Sequence, residues 1–144
     1  MVLTGEYSSK LGEKNRTALP KEFRDQFSLE LMVTRGYEGC LIIVDKKRWQ
    51  NLVKTIEIRP FLNIDARNTK RFLVGGAREI TLDKQGRFVM PEQLKEYAKL
   101  SDKLIFVGIQ DFVEIWDEDK WNEKIAEIAK NAADIGDRLS DLES

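Results

Sequence analysis

Two nine-residue stretches place acidic, basic and turn-forming residues at matching positions. "DKQGRFVMP", Asp83 to Pro91, sets Asp83 four positions before Arg87 with Gly86 between them, and "GEKNRTALP", Gly12 to Pro20, sets Lys14 and Arg16 around Asn15. An aspartate four residues from an arginine at a tight turn can accept turn amides and hold the guanidinium across the loop. An arginine without such a carboxylate keeps its donors for another acceptor. The O6 and N7 edge of guanine is one such acceptor, and phosphate oxygens suit a neighbouring lysine. Gly12 occupies the place of Asp83, and Glu13 beside Lys14 is a poor substitute, so Arg16 is the freer base. A second chemistry, a carboxylate pair for glycoside hydrolysis, has Asp83 and Glu114 as candidates. A turn role for Asp83 and an outward strand position for Glu114 explain both without catalysis.

The 144 residues include no histidine and one cysteine, which removes zinc sites and histidine-based triads. No cofactor is expected. Cys40, inside the apolar run "GCLIIV", reads as a small core residue in a reducing compartment. No run approaches the roughly 20 apolar residues of a membrane span, and "MVLTGEYSSK" lacks the pattern of a secretion signal. A cytoplasmic chain with no membrane partner is therefore expected. A composition 42% apolar and 34% charged suits a core-forming chain of one domain or two very small ones. The net charge of −1 conceals a division: residues 1–72 hold 14 Lys/Arg against 9 Asp/Glu, or +5, and residues 73–144 hold 10 against 16, or −6. A polyanion would bind the basic half.

The two stretches belong to a longer repeat. Arg16 aligns with Arg87 and Pro20 with Pro91 at an offset of 71, and the match continues through small gaps to Asp45 over Asp117 and Trp49 over Trp121 at 72. Proline suits the first turn of a helix, so "KEFRDQF" and "EQLKEYA" read as short helices with Phe23, Phe27, Leu94 and Ala98 spaced i, i+4. Each copy, 1–72 and 73–144, then reads as strand, tight turn, strand, short helix, strand, turn, strand and a longer helix started by an Asp N-cap. In those longer helices Trp49, Leu52, Val53 and Ile56, and Trp121, Ile125, Ile128, Ala129 and Ala132, form apolar stripes with the tryptophans as core anchors. A loop around Pro60 and a short basic helix from Asp65 join the copies, and the acidic tail is expected to fray after Gly136.

Copies of about 70 residues with strands this short cannot each close a core. The expected class is α+β, with the copies intertwined about a pseudo-twofold into one small β unit flanked by helices. Unused apolar helix faces invite self-association. Asn15 and Gly86 occupy one position of the repeat and are the residue types that most readily take positive φ. Lys46, Lys47 and Arg48 follow the Asp45 cap at a helix N-terminus, where cations are disfavoured; a phosphate would offset that, as would plain solvation. Arg67, Lys70 and Arg71 are equally ambiguous.

These residues resemble the MraZ family of bacterial transcriptional regulators, associated with the division and cell wall gene cluster. The resemblance covers nearly the whole chain and rests on two copies of an Asp-x-x-x-Arg signature followed by an apolar run and Pro. "LDKQGRFVMPEQLKEYAKL" with "VGIQDFVEIWDEDKW" matches it closely, whereas "LGEKNRTALPKEFR" departs by Gly12 for Asp and Asn15 for Gly. The resemblance implies two tandem AbrB-type swapped-hairpin repeats and a ring-like homo-oligomer on promoter DNA. It also implies binding to short guanine-rich direct repeats in the nucleoid. Lys14, Asn15, Arg16, Asp83 and Arg87 are then the expected DNA-binding residues, with Lys14 and Arg16 as the direct contacts and Asp83 and Arg87 as the intact second signature. The rival reading is a protein-binding antitoxin whose acidic C-terminal part wraps a basic toxin.

Overall fold

The computed structural model describes residues 2–56 and 62–143. The first repeat contains β1 (Leu3–Lys10), β2 (Arg16–Ala18), α1 (Lys21–Arg24), β3 (Glu30–Arg35), β4 (Leu41–Asp45) and α2 (Lys46–Ile56). A linking helix α3 (Ile64–Leu73) leads to β5 (Arg78–Thr81), β6 (Arg87–Val89), α4 (Glu92–Tyr97), β7 (Lys103–Gln110), β8 (Val113–Asp117) and α5 (Glu118–Glu143). Local chemistry explains the helix starts. The carbonyls of Pro20 and Pro91 accept the first amides of α1 and α4 at 2.9 to 3.1 Å. The Asp45 carboxylate takes the Arg48 amide at 2.9 Å, and Asp117 takes amides of Asp119 and Lys120. Both longer helices thus have the expected N-cap.

Strand pairing crosses between the repeats. One six-stranded antiparallel sheet has the order β1-β7-β8-β4-β3-β5, and β2 and β6 form a separate two-stranded ribbon. The first strand of each repeat pairs with the third strand of the other: β1 with β7 and β5 with β3. The fourth strands pair with each other, Ile42 opposite Glu114, and so do the second strands, Thr17 opposite Phe88. Each of these two residue pairs consists of equivalent positions in the repeat, which happens only where a twofold passes. The intertwined α+β unit expected from the repeat is the observed fold.

The main apolar cluster takes nine residues from 1–72 and eleven from 73–144. Phe23, Leu31, Leu41, Ile43, Leu104, Phe106 and Ile115 are fully buried in it. A smaller cluster of Cys40, Val107, Trp116 and Trp121 lies outside the main one. Cys40 is therefore the core residue its surroundings suggested, and burial first, then the nearby Glu114, pushes its thiol pKa far up.

Several local expectations change. Trp121 is buried but Trp49 is only half-buried, so one tryptophan anchors the core. Of the stripe on α5, Trp121 and Ile125 pack, while Ile128 is 38% exposed and Ala129 and Ala132 face solvent. The 26 residues of α5 span about 39 Å, far longer than the five-residue β8 beside it. The helix also continues through Gly136 instead of fraying there. A single glycine costs about 1 kcal/mol in a helix, too little to stop one already nucleated by the Asp117 cap and propagating by one hydrogen bond per residue. In α3 the helix begins one residue early, because Asn63 caps it by accepting the Asp65 and Ala66 amides. The loop expected around Pro60 lies outside the described residues. Among the described residues no helix is long and apolar enough to cross a membrane.

Expressed separately, residues 1–72 and 73–144 will each fail to give a folded monomer, since β1, β3, β5 and β7 lose their partners and the core is halved. Circular dichroism with sedimentation tests this, and a folded monomeric half would overturn the shared core.

Candidate nucleic-acid interface

The β2–β6 ribbon positions the candidate residues. Arg16 lies opposite Val89, Thr17 opposite Phe88 and Ala18 opposite Arg87. Side chains alternate along strands. Thr17 and Phe88 are buried, so Arg16, Ala18, Arg87 and Val89 share the outer face. Arg16 and Arg87 are diagonal neighbours there, a separation of roughly 7–8 Å between strand positions. With Thr81, Asp83, Phe88 and Val89 they line one depression of about 340 Å³. The two stretches that looked like separate loops in the sequence are one surface.

The second loop has the expected clamp. Asp83 accepts the amides of Gln85 and Arg87 at 2.8 and 2.9 Å, and Arg87 Nε donates to its other oxygen at 2.8 Å. The Arg87 amide, then its guanidinium, holds the Asp83 carboxyl below the usual aspartate range. Because Nε makes that bond, the two terminal nitrogens of Arg87 take no part in the clamp.

The first loop keeps the backbone closure, Gly12 N–H to the Arg16 carbonyl at 2.7 Å, matching Asp83 N–H to the Arg87 carbonyl at 3.0 Å. It has no carboxylate in the clamp position. Arg16 and Lys14 are exposed, and neither has an ion pair or side-chain hydrogen bond among the described residues. Asn15 takes φ 59° and Gly86 φ 76°, as their types suggested, and Lys14 also takes φ 58°. A lysine in that region is strained by about 1 kcal/mol or more, so something must hold it. Asn15 does: its Nδ2 donates to Glu92 Oε2 at 2.5 Å, its Oδ1 accepts from Lys95 Nζ at 3.0 Å, and its carbonyl accepts the Met90 amide at 2.7 Å. Each loop thus docks on the opposite repeat, for the Gly86 carbonyl correspondingly accepts the Leu19 amide at 2.9 Å.

Two of the cations after Asp45, Lys46 and Arg48, have a protein explanation. Lys46 Nζ reaches Glu30 at 3.0 Å and Glu79 at 2.7 Å, and Arg48 pairs with Asp45 at 3.0 Å while lying over the Phe27 ring. Carboxylates from β3 and β5 supply what a phosphate was invoked to supply. Arg71 donates to Asn68, and Arg67 and Lys70 are also partnered. Nor does the chain assemble a carboxylate pair from Asp83 and Glu114. Glu114 accepts from Trp116 Nε1 at 3.0 Å and lines a groove with Trp121 and Lys124, separate from the depression at Asp83. Among the described residues no cluster of three or more His, Cys, Asp or Glu could hold a metal.

Glu92, Lys95 and Arg24 escaped sequence reasoning, although the repeat held a signal. Position 15/86 is Asn in one copy and Gly in the other, and position 24/95 is Arg in one and Lys in the other. Here both positions make contacts across the twofold.

Fold and site together define a doubled swapped-hairpin protein with two arginines side by side on an exposed ribbon. A family model described as "MraZ protein, putative antitoxin-like" matches residues 2–72 and 73–142, and the chain belongs to the MraZ family. It is 36% identical to the transcriptional regulator MraZ of Syntrophomonas wolfei, over 94% of this chain and 99% of that one. Identity is 39% with the protein of the same name from Carboxydothermus hydrogenoformans, over 84% and 85% of the two chains. With that of Clostridium acetobutylicum it is 36%, over 98% and 99%.

Asn15→Ala will destabilise the protein by about 1–2 kcal/mol through lost hydrogen bonds and a left-handed alanine, and Asn15→Gly by less, as urea denaturation will show. Asp83 has a depressed carboxyl in the folded state, so its clamp is intact above the unfolded value of about 3.9 and is lost as pH falls through the lower folded value. The difference in melting temperature between wild type and Asp83→Asn should therefore be constant at neutral pH and shrink below pH ~4.

Proposed function

We propose that this chain is a sequence-specific DNA-binding transcriptional regulator that recognises short guanine-rich direct repeats in a promoter as a ring-like homo-oligomer. It works in the cytoplasm at the nucleoid, on genes of the division and cell wall cluster. The single observation that carries this reading is Arg16, exposed and, among the described residues, unpaired on a ribbon face it shares with Arg87. A two-stranded ribbon fits the major groove, which is about 12 Å wide. Arg16 presents its fork to guanine O6 and N7, and Lys14 at the strained tip takes phosphate. Arg87 adds its terminal nitrogens while Asp83 fixes its orientation. Asn15 is a positioning residue, since its amide is already engaged by Glu92 and Lys95.

The exposed apolar face of α5 supports assembly. Ile128, Ile135, Leu139 and Leu142 are 38 to 82% exposed on one helix, and an exposed apolar stripe of this kind marks an interaction surface. Linked subunits turn later contacts on repeated DNA sites into intramolecular ones, raising avidity by roughly 10² to 10⁴. The antitoxin-like reading is favoured by the acidic residues Asp134, Asp137 and Asp141 on that same exposed helix; a toxin retained on the tagged protein in place of DNA would support it.

On a promoter fragment carrying such repeats, Arg16→Ala will lose roughly 1–3 kcal/mol per bidentate contact and with it specific retardation, while light scattering reports an unchanged assembly mass. Wild-type affinity for this variant would sink the assignment. Gly12→Asp supplies the missing clamp, because a side chain there meets only the Arg16 carbonyl at an ordinary 3.7 Å. It will stiffen the loop and weaken DNA binding by drawing Arg16 inward, which melting and gel-shift titration measure together.

A further inference from the structure

Arg24 belongs to the first repeat, yet its side chain lies against the loop of the second. A Cβ placed on Gly86 would fall 2.1 Å from Arg24 Cδ, 2.8 Å from Nε and 2.9 Å from Nη1. The guanidinium therefore covers Gly86, one residue from Arg87. Gly86 is favoured by φ 76°, and a side chain there would also displace this occupant.

Among the described residues nothing accepts from Arg24. Its Nε is buried without a hydrogen-bond partner, and its terminal nitrogens are not among the buried unsatisfied atoms, so that end of the fork remains open to solvent. The pseudo-equivalent residue behaves otherwise: Lys95 donates to Asn15 Oδ1, and Glu92, three positions earlier, takes the Asn15 amide. The residue equivalent to Glu92 is Lys21, which is exposed. Crossing of the repeats thus brings Arg24 of the basic half to a loop that already bears Lys84 and Arg87. The acidic repeat's loop acquires a cation from the other repeat.

We propose that Arg24 anchors a backbone phosphodiester of the duplex beside the second loop, while the ribbon face carrying Arg16 and Arg87 addresses the bases. This rests on the DNA-binding reading above. A guanidinium fork matches two phosphate oxygens, and packing on Gly86 pre-positions it without a carboxylate to neutralise it. Residues on the ribbon's outer face reach a groove floor, whereas a cation supplied from α1 at the loop's flank meets the strand that borders the groove. The contact is therefore indifferent to base identity.

Fluorescence anisotropy over about 50 to 300 mM salt tests it, with one duplex carrying guanine-rich repeats and one of equal length with the repeats scrambled. Arg24→Met keeps the packed stem and removes the charge; it should weaken both duplexes by a similar factor of about 3 to 10 and lower the salt slope by about 1 per engaged subunit. Arg24→Lys should retain the slope with a smaller loss, so the result does not depend on Arg24→Met being well folded. Unchanged affinity and slope in Arg24→Met, or a loss confined to the repeat duplex, overturns the phosphate role. Wild type binding neither duplex overturns the regulator reading and this one together.

Discussion

The pairing of each repeat's first strand with the other repeat's third strand is the constraint on which the rest of the structure depends. Neither repeat has enough strand length to cover its own apolar face, and the main cluster draws on both. Crossing solves that problem and has a geometric by-product. It sets the second strands against each other about the twofold, so signature arginines 71 positions apart become diagonal neighbours. Register matters here. A shift of one residue would turn Arg16 and Arg87 inward and expose Thr17 and Phe88, at the cost of the buried Phe88 contact.

Symmetry of the backbone frames an asymmetry of charge. At four pairs of equivalent positions, Gly12 and Asp83, Asn15 and Gly86, Lys21 and Glu92, Arg24 and Lys95, the residue types differ while the chain path does not. The differences at positions 15 and 86 are answered across the twofold. Asn15 is tolerated because Lys95 and Glu92 bond it, and Gly86 leaves space that Arg24 fills. The loop that lost its aspartate leaves its arginine unpaired, and the loop that kept its aspartate gains an arginine from the other repeat. Charge counted along the chain, +5 and −6 by halves, therefore misplaces the cations in space.

What was legible in the sequence was whatever depends on short range or on repetition. The proline starts, the Asp45 and Asp117 caps, the left-handed Asn15 and Gly86 and the Asp83 clamp are each decided within a few residues. The repeat itself, together with strands too short to close a core, implied an intertwined unit. Three features were not legible because distant residues decide them. Lys46 and Arg48 read either as solvated cations or as a phosphate site, but β3, β5 and the Asp45 cap supply the carboxylates. Trp49 and Trp121 are equivalent in sequence and unequal in burial, because Trp116 stands beside Trp121 where Val44 is the corresponding residue in the first repeat. The extent of α5 beyond its own sheet could not be read from a stripe whose spacing is the same whether the face is covered or not.

In the proposed complex, the loops divide their work by how each arginine is held. An arginine bonded through Nε has lost rotational freedom before binding, so less entropy is spent when its terminal nitrogens meet an acceptor; Arg87 is in that state. Arg16 has no such support, and its side chain must be ordered on contact, but it also carries no carboxylate to compete with the DNA. One arginine gains by preorganisation and the other by charge. Placed on a single ribbon face, the two can serve one site without either compromise being imposed on both, which a symmetric homodimer of identical loops could not arrange. The doubling of the repeat within one chain is what permits the loops to diverge while the core they share stays the same.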